Sequence, residues 1–341
     1  MEPAAPPNDN VQIAVQALGR GLFRLYKRTL GRVEGARFEA ADAGTLAEAE
    51  LSLRVMKRQN AAGDPVIHVA KGFEIAVVVT TDPPGAHAIV RVEGAGATLV
   101  RPYAPGVKGE PGRATVRFDT FSKNAADVKT LWVEGRGDPQ KVSLVVSPHQ
   151  TIWANYPDRH ADPKKRTHTP CESLTEDDNH CAARMSEAIE RAGFSIAGWK
   201  GHSCGCKGTG AGSKHLLRAE EVAAAIDKNG LAGVTLGPKT VRKGTHQTRP
   251  KAATPGVTWK DYEGQFGLVY FEGFWPRNAS QKAHRKAAYA KGASALDRVH
   301  HLGYLTGNHV DIWNGEINEQ GGVSGRDYFE RSREVWFWPL H

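Results

Sequence analysis

The chain has 341 residues, 24% of them charged, with 45 lysines and arginines against 37 acids and a formal charge of +8. That length exceeds the usual size of one core, so two domains are expected, and no stretch approaches the roughly 18 uninterrupted apolar residues that suggest a membrane span. Basic residues are spread along the chain without the aromatic-rich basic motifs of nucleic-acid modules. This argues against nucleic-acid recognition and leaves an anionic partner such as a membrane surface or an acidic cell-wall polymer.

The opening MEPAAPPNDN lacks a basic region followed by an apolar run, so no Sec signal is read there and synthesis in the cytosol is expected. VQIAVQALGRGLFRLYKRTLGR fits a basic amphipathic helix as well as a strand pair, and GTLAEAELSLRVMKRQN is equally two-sided. From about residue 64 to 147 the chain turns to short valine- and aromatic-rich runs punctuated by glycine and proline. These are PVIHVAKGFEIAVVVTT, HAIVRVEGAGATLV, RATVRFDTFS, VKTLWVEGRG and KVSLVVS. Antiparallel strands this short, with frequent turn signals, predict an immunoglobulin-like β-sandwich over residues 1–147. No polar catalytic cluster stands out in it, so an accessory or docking role is expected.

Past Pro148 the texture becomes polar and basic, and a second domain, 148–341, is expected to be α+β. In DDNHCAARMSEAIERAG, Asp178 or Asn179 can cap a helix along which Ala182, Met185, Ile189 and Ala192 recur at helical spacing, with Gly193 ending it. Cys181 then sits in the first turn, where free backbone N–H groups and the positive end of the helix dipole favour a thiolate. A second helix is predicted from Leu216 to Lys228. GPKTVRKGTHQTRPKAATPG reads as a long loop, either a lid or simply mobile. GLVYFEGFW reads as a strand, and SQKAHRKAAYAKGASALDRVHH as helical, with lysines and arginines on a solvated face.

A thiolate needs a base, and the best-placed histidine lies in GNHVDIWNGEINEQ. Asn314-Gly315 suits a two-residue type I′ turn, which sets Ile312 against Ile317, Asp311 against Asn318 and His309 against Gln320. Alternation puts His309, Asp311, Asn318 and Gln320 on one face. His309 can act as the base, with Asp311 on its own strand or Gln320 across from it holding the ring. A cysteine early on a helix, with a histidine about 130 residues later on a strand, is the layout of papain-like cysteine peptidases.

TIWANYP, NHCAARMSEAIERAG, GNHVDIWNG and SREVWFWPL, in that order over residues 150–341, resemble landmarks of the fourth family of type VI secretion amidase effectors, a branch of the NlpC-type cysteine peptidases. The resemblance implies a papain-like domain that hydrolyses the γ-D-glutamyl to meso-diaminopimelate amide of peptidoglycan stem peptides in the periplasm of a target bacterium. It implies Cys181 as nucleophile, His309 as general base, no metal or cofactor, no membrane insertion and a cognate immunity protein. The family's third residue is an acid on the strand after the histidine. Gln320 holds that place here and is not an acid, whereas Asp311 matches the family's H-x-D hairpin. The first 147 residues are additional to the family pattern and fit a module for secretion loading or target binding.

HSCGC, with His202, Cys204, Cys206, His215 and Cys171 nearby in sequence, opens a different reading, a zinc-stabilised binding module without activity. Its C-x-C spacing is shorter than that of zinc knuckles, and no second pair follows. A disulfide from Cys171 to Cys204 or Cys206 is the favoured alternative in a protein acting in the periplasm.

Overall fold

The computed structural model describes residues 65–80, 88–106, 112–123, 127–134, 140–156, 180–204, 215–249, 252–313, 315 and 326–340, with strand segments at 12–17, 27–28 and 58–59. The chain divides into two compact units, Met1–Ala154 and Asn155–His341.

Ten strands occupy the first unit among the described residues: β1 (Gln12–Ala17), β2 (Lys27–Arg28), β3 (Arg58–Gln59), β4 (Pro65–Val69), β5 (Glu74–Thr80), β6 (Ile89–Glu93), β7 (Ala97–Ala104), β8 (Gly112–Phe118), β9 (Lys129–Glu134) and β10 (Gln140–Val146). They form two five-stranded sheets, ordered β2-β1-β5-β8-β7 and β3-β4-β10-β9-β6. The alternation read from the sequence is physical, since Leu131 and Val133 on β9 are buried while Thr130, Trp132 and Glu134, at the alternate positions, are only half-buried. Val77, Val116 and Phe118 from one sheet share an apolar core with Val90, Leu131, Leu144 and Val146 from the other. The expected antiparallel pattern has one exception, the parallel pairing of β4 with β10. The ambiguous N-terminal stretch contributes a strand pair, with Ile13 opposite Arg28. Of the second ambiguous stretch, only β3 at its end is described.

Helix α1 (Pro148–Asn155) starts at the expected boundary, yet it is tied to the first unit. The Ser147 hydroxyl accepts the Gln150 N–H, Ser147 N–H donates to the Val69 carbonyl, and Thr151 Oγ1 accepts the Lys71 N–H at 2.9 Å. The division into two compact units falls after Ala154, within this helix.

The second unit is built on a four-stranded antiparallel sheet ordered β11 (Thr240–Arg242), β14 (Glu334–Pro339), β12 (Gly267–Trp275), β13 (Gly307–Trp313). The apolar run of β12 makes it an inner strand, with seven of its nine residues buried. Helices α2 (Cys181–Arg191) and α3 (Ala219–Asn229) both pack against β13. Helices α4 (Ala279–Ala288) and α5 (Ala295–Leu302) pack on each other around Ala288, Leu302 and Leu305, and α6 (Arg326–Arg331) precedes β14.

Three expectations shift here. α3 begins at Ala219 rather than Leu216, because Leu216 bridges Ser203 and the Leu217 N–H donates to the His202 carbonyl, leaving that backbone extended. The segment read as a long loop carries β11, which pairs with β14 at the sheet edge, followed by a 3-10 turn at Thr245–Gln247. The helical stretch after β12 is two helices, each opened by a side-chain cap, from Asn278 and from Ser294.

Candidate active site

Cys181 is the first residue of α2. The N-cap position is His180, which makes no side-chain capping bond; the expected caps Asp178 and Asn179 lie outside the described residues. The other end follows the sequence closely. Gly193 adopts φ +88°, its N–H donates to the Glu190 carbonyl, and the Phe194 N–H donates to the Ile189 carbonyl, a Schellman closure with Phe194 buried beneath it. Every residue from Cys181 to Ile189 is buried, including Arg184, Ser186 and Glu187, so α2 is a core helix rather than a half-exposed one.

β13 brings the second component. His309 and Asp311 are two residues apart and therefore share a face, whereas Val310 and Ile312 point the other way. Cys181, His309 and Asp311 are 4%, 5% and 3% exposed. His309 Nε2 lies 3.2 Å from Asp311 Oδ2, and Asp311 Oδ1 accepts the Ile312 N–H at 2.9 Å, which fixes the carboxylate. The His309 ring is hydrogen-bonded to the Cys181 thiol, and the Val310 backbone N–H also reaches the sulfur. Because Nε2 faces Asp311, Nδ1 is the ring atom left for the thiol.

Burial alone would push the Cys181 thiol up. The positive charge and hydrogen bond of His309, with the Val310 N–H, outweigh it and hold the thiol below its ordinary value. Burial would likewise push His309 down, but the sulfur's negative charge and the Asp311 carboxylate reverse this and raise it to about 9. The same proton exchange thus appears from both sides, and the arrangement favours a thiolate beside an imidazolium. Phe271 stacks near the imidazole at 6.2 Å and Tyr328 lies 4.9 Å from it, shielding the pair from water.

Residues 178–292 match the family model described as type VI secretion system amidase effector protein 4. Amidases hydrolyse amide bonds, and the matched segment holds Cys181, α2, α3 and α4. His309 and Asp311 lie C-terminal to it, joined to Cys181 by the fold and not by the match. TIWANYP, GNHVDIWNG and SREVWFWPL fall outside it as well. No curated protein and no solved structure matches the chain. No helix among the described residues is long and apolar enough to cross a membrane.

Of the other residues singled out in the sequence, Gln320 lies outside the described residues, as does the returning arm of the predicted hairpin; β13 pairs with β12, with His309 opposite Phe271. Cys171 and Cys206 are outside too. Cys204 Sγ lies 3.6 Å from His215 Nδ1, both buried, while His202 is bonded to Glu221. No group of three or more metal-binding side chains occurs among the described residues.

Sequence reasoning passed over the support behind β13. The Asn308 side chain accepts the Gly273 N–H at 3.0 Å and donates to Glu220 Oε2 at 3.1 Å, and Arg277 completes the set at 3.4 Å from Glu220. Gly273 sits at φ +67° where the β12–β13 register slips, a bulge that any side chain would strain. The G-N-H triplet was a usable signal for Asn308. Nothing local pointed to Glu220.

Proposed function

We propose that the chain is an antibacterial peptidoglycan amidase that cuts the γ-D-glutamyl to meso-diaminopimelate amide of stem peptides by a Cys-His thiol mechanism. The observation that carries this reading is the buried contact of Cys181 with His309, with Asp311 behind the ring. The match of the Cys181 segment to an amidase effector family supports the same chemistry.

In the proposed reaction the Cys181 thiolate attacks the amide carbonyl carbon, and the backbone N–H of Cys181 helps hold the oxyanion. The His309 imidazolium then gives its proton to the departing diaminopimelate amine as the C–N bond breaks, leaving a thioester. Water, deprotonated by His309, attacks the thioester and releases the D-glutamate carboxylate and the thiol. Asp311 takes the orienting role in preference to Gln320, because its carboxylate is within bonding reach of Nε2. The fold that fits this chemistry is papain-like of NlpC type, and the two packed sheets of the first unit fit an immunoglobulin-like accessory domain. Delivery by a type VI secretion system, action in a target cell's periplasm, protection of the producer by an immunity protein, and contact of the first unit with the secretion machinery belong to the same reading.

The test is incubation of wild type and Cys181→Ala with purified Gram-negative sacculi, with mass spectrometry of the released peptides. Wild type alone is expected to separate L-alanyl-D-glutamate ends from diaminopimelate-containing fragments. Release by Cys181→Ala, or cleavage at a different bond, would sink the assignment.

A further inference from the structure

Helix α4 concentrates positive charge on one side. Lys282, Arg285, Lys286 and Tyr289 stand at i, i+3, i+4 and i+7, so they share a helix face, and with Pro276 they line an open cleft of about 520 Å³. Like charges three and four residues apart destabilise a helix, and a face meant only for solvent gains from alternating sign. Neighbouring cations are neutralised, Arg277 by Glu220 and Arg331 by Asp327. Lys282, Arg285 and Lys286 make no ion pair among the described residues. The face read from sequence as merely solvated is therefore an open basic wall without a compensating acid among the described residues, of a size suited to a small ligand or a peptide segment.

A chain of packed side chains joins the cleft to the Cys181–His309 pair. The Arg285 guanidinium lies 5.3 Å from the Trp275 ring centroid, Trp275 is 5.8 Å from Tyr328, and Tyr328 is 4.9 Å from His309. Three side-chain steps of this length span what about four or five extended residues cover. A carboxylate on a peptide whose amide reaches Cys181 can thus meet these cations if it lies several residues from the scissile bond. Arg285 offers a planar fork for it, and the two lysines add point charges.

We infer that the α4 cleft is a distal carboxylate subsite for the peptide substrate, selecting peptides that carry a free carboxylate several residues beyond the cleaved amide. This rests on the amidase reading, and it predicts a preference for longer or cross-linked stems over short ones.

The test uses the full chain with Cys181→Ala, titrated by calorimetry with a cross-linked muropeptide dimer bearing free carboxylates and with the same dimer amidated at its carboxyl groups. The free form is expected to bind about tenfold more tightly, as one desolvated charge-assisted contact provides. Adding Arg285→Gln and Lys286→Gln should shrink that difference to about twofold or less, while Arg285→Lys retains part of it. Lys282→Gln, on the exposed side of the same face, makes the same test if the double variant melts early in circular dichroism. Equal binding of both dimers, binding of neither, or full discrimination in the folded variants overturns the subsite; the last is also the result expected if the cleft serves an acidic protein surface. The amidase reading is judged separately on sacculi with Cys181 intact. Cleavage with unaltered discrimination removes only the subsite, and discrimination without cleavage removes only the reaction.

Discussion

His309 Nε2 and Asp311 Oδ2 approach to 3.2 Å from alternate positions on the same face of one strand, so a rigid element with no loop between them sets their geometry. Asp311 also accepts the Ile312 N–H, which leaves its carboxylate little freedom. Asp311→Asn keeps the shape and removes the charge that helps raise His309. Activity should fall by about tenfold to a hundredfold, mainly in kcat, and the alkaline limb of the pH profile should move below pH 9. Steady-state hydrolysis of a soluble muropeptide across pH 5 to about 10 checks both. An unchanged alkaline limb would remove Asp311 from the proposed triad.

The coupled shifts make a second prediction, about stability. His309 is raised from 6.5 to about 9, so taken alone its contribution is full below pH 6.5 and disappears as pH rises through about 9. Cys181 is lowered from 9.0, so its contribution is full above pH 9.0 and disappears as pH falls through its depressed value. Between pH 6.5 and about 9 the folded pair holds one proton, on the imidazole, and the unfolded chain also holds one, on the thiol. The two slopes cancel there. The pair's share of stability should be flat across that window and above it, because the His309 contribution is gone by about pH 9 where that of Cys181 is full, and it should decline only as pH falls below 6.5. Comparing thermal midpoints of wild type and Cys181→Ser at intervals of pH reveals it, because the serine variant lacks the ion pair.

How much of this was legible depended on whether the cause was local. α2, with its helical apolar spacing and Gly193 stop, and β12, with its aromatic run, were readable because near neighbours decide them. The shared face of His309 and Asp311 followed from strand alternation alone. β11 was hidden because Thr240–Arg242 is short and polar, and it becomes a strand only by pairing with β14 nearly a hundred residues later. Leu216 looked helical until its backbone was committed to Ser203 and Ser186. The Asn308–Glu220 bond joins positions 88 apart, and no periodicity encodes that.

That bond supports a third prediction. Asn308 is the neighbour of His309 and ties β13 both to the β12 bulge and to the first turn of α3. Asn308→Ala strips the buried Gly273 N–H of its acceptor, which should cost about 1–3 kcal/mol. His309 would be held less firmly, so kcat should drop several-fold while KM changes little. Urea unfolding gives the first number and initial rates the second. Glu220→Gln keeps a hydrogen-bonding side chain at that position, and its losses should be smaller. If Asn308→Ala lowered stability without altering kcat, Asn308 would be a fold residue only.

The last prediction concerns the far end of α2. Gly193 holds φ +88°, where a side chain clashes with its own backbone, and both terminal carbonyls of the helix depend on that conformation. Gly193→Ala should therefore destabilise the chain by about 1–2 kcal/mol, seen as a lower denaturation midpoint at unchanged urea slope. Cys181 lies at the opposite end of the same helix, three turns away, and α2 is buried against its neighbours along the turns between. The strain is thus absorbed locally, and Cys181 alkylation by iodoacetamide at low urea should proceed at the wild-type rate. A faster rate would mean that the cap positions the nucleophile as well as closing the helix.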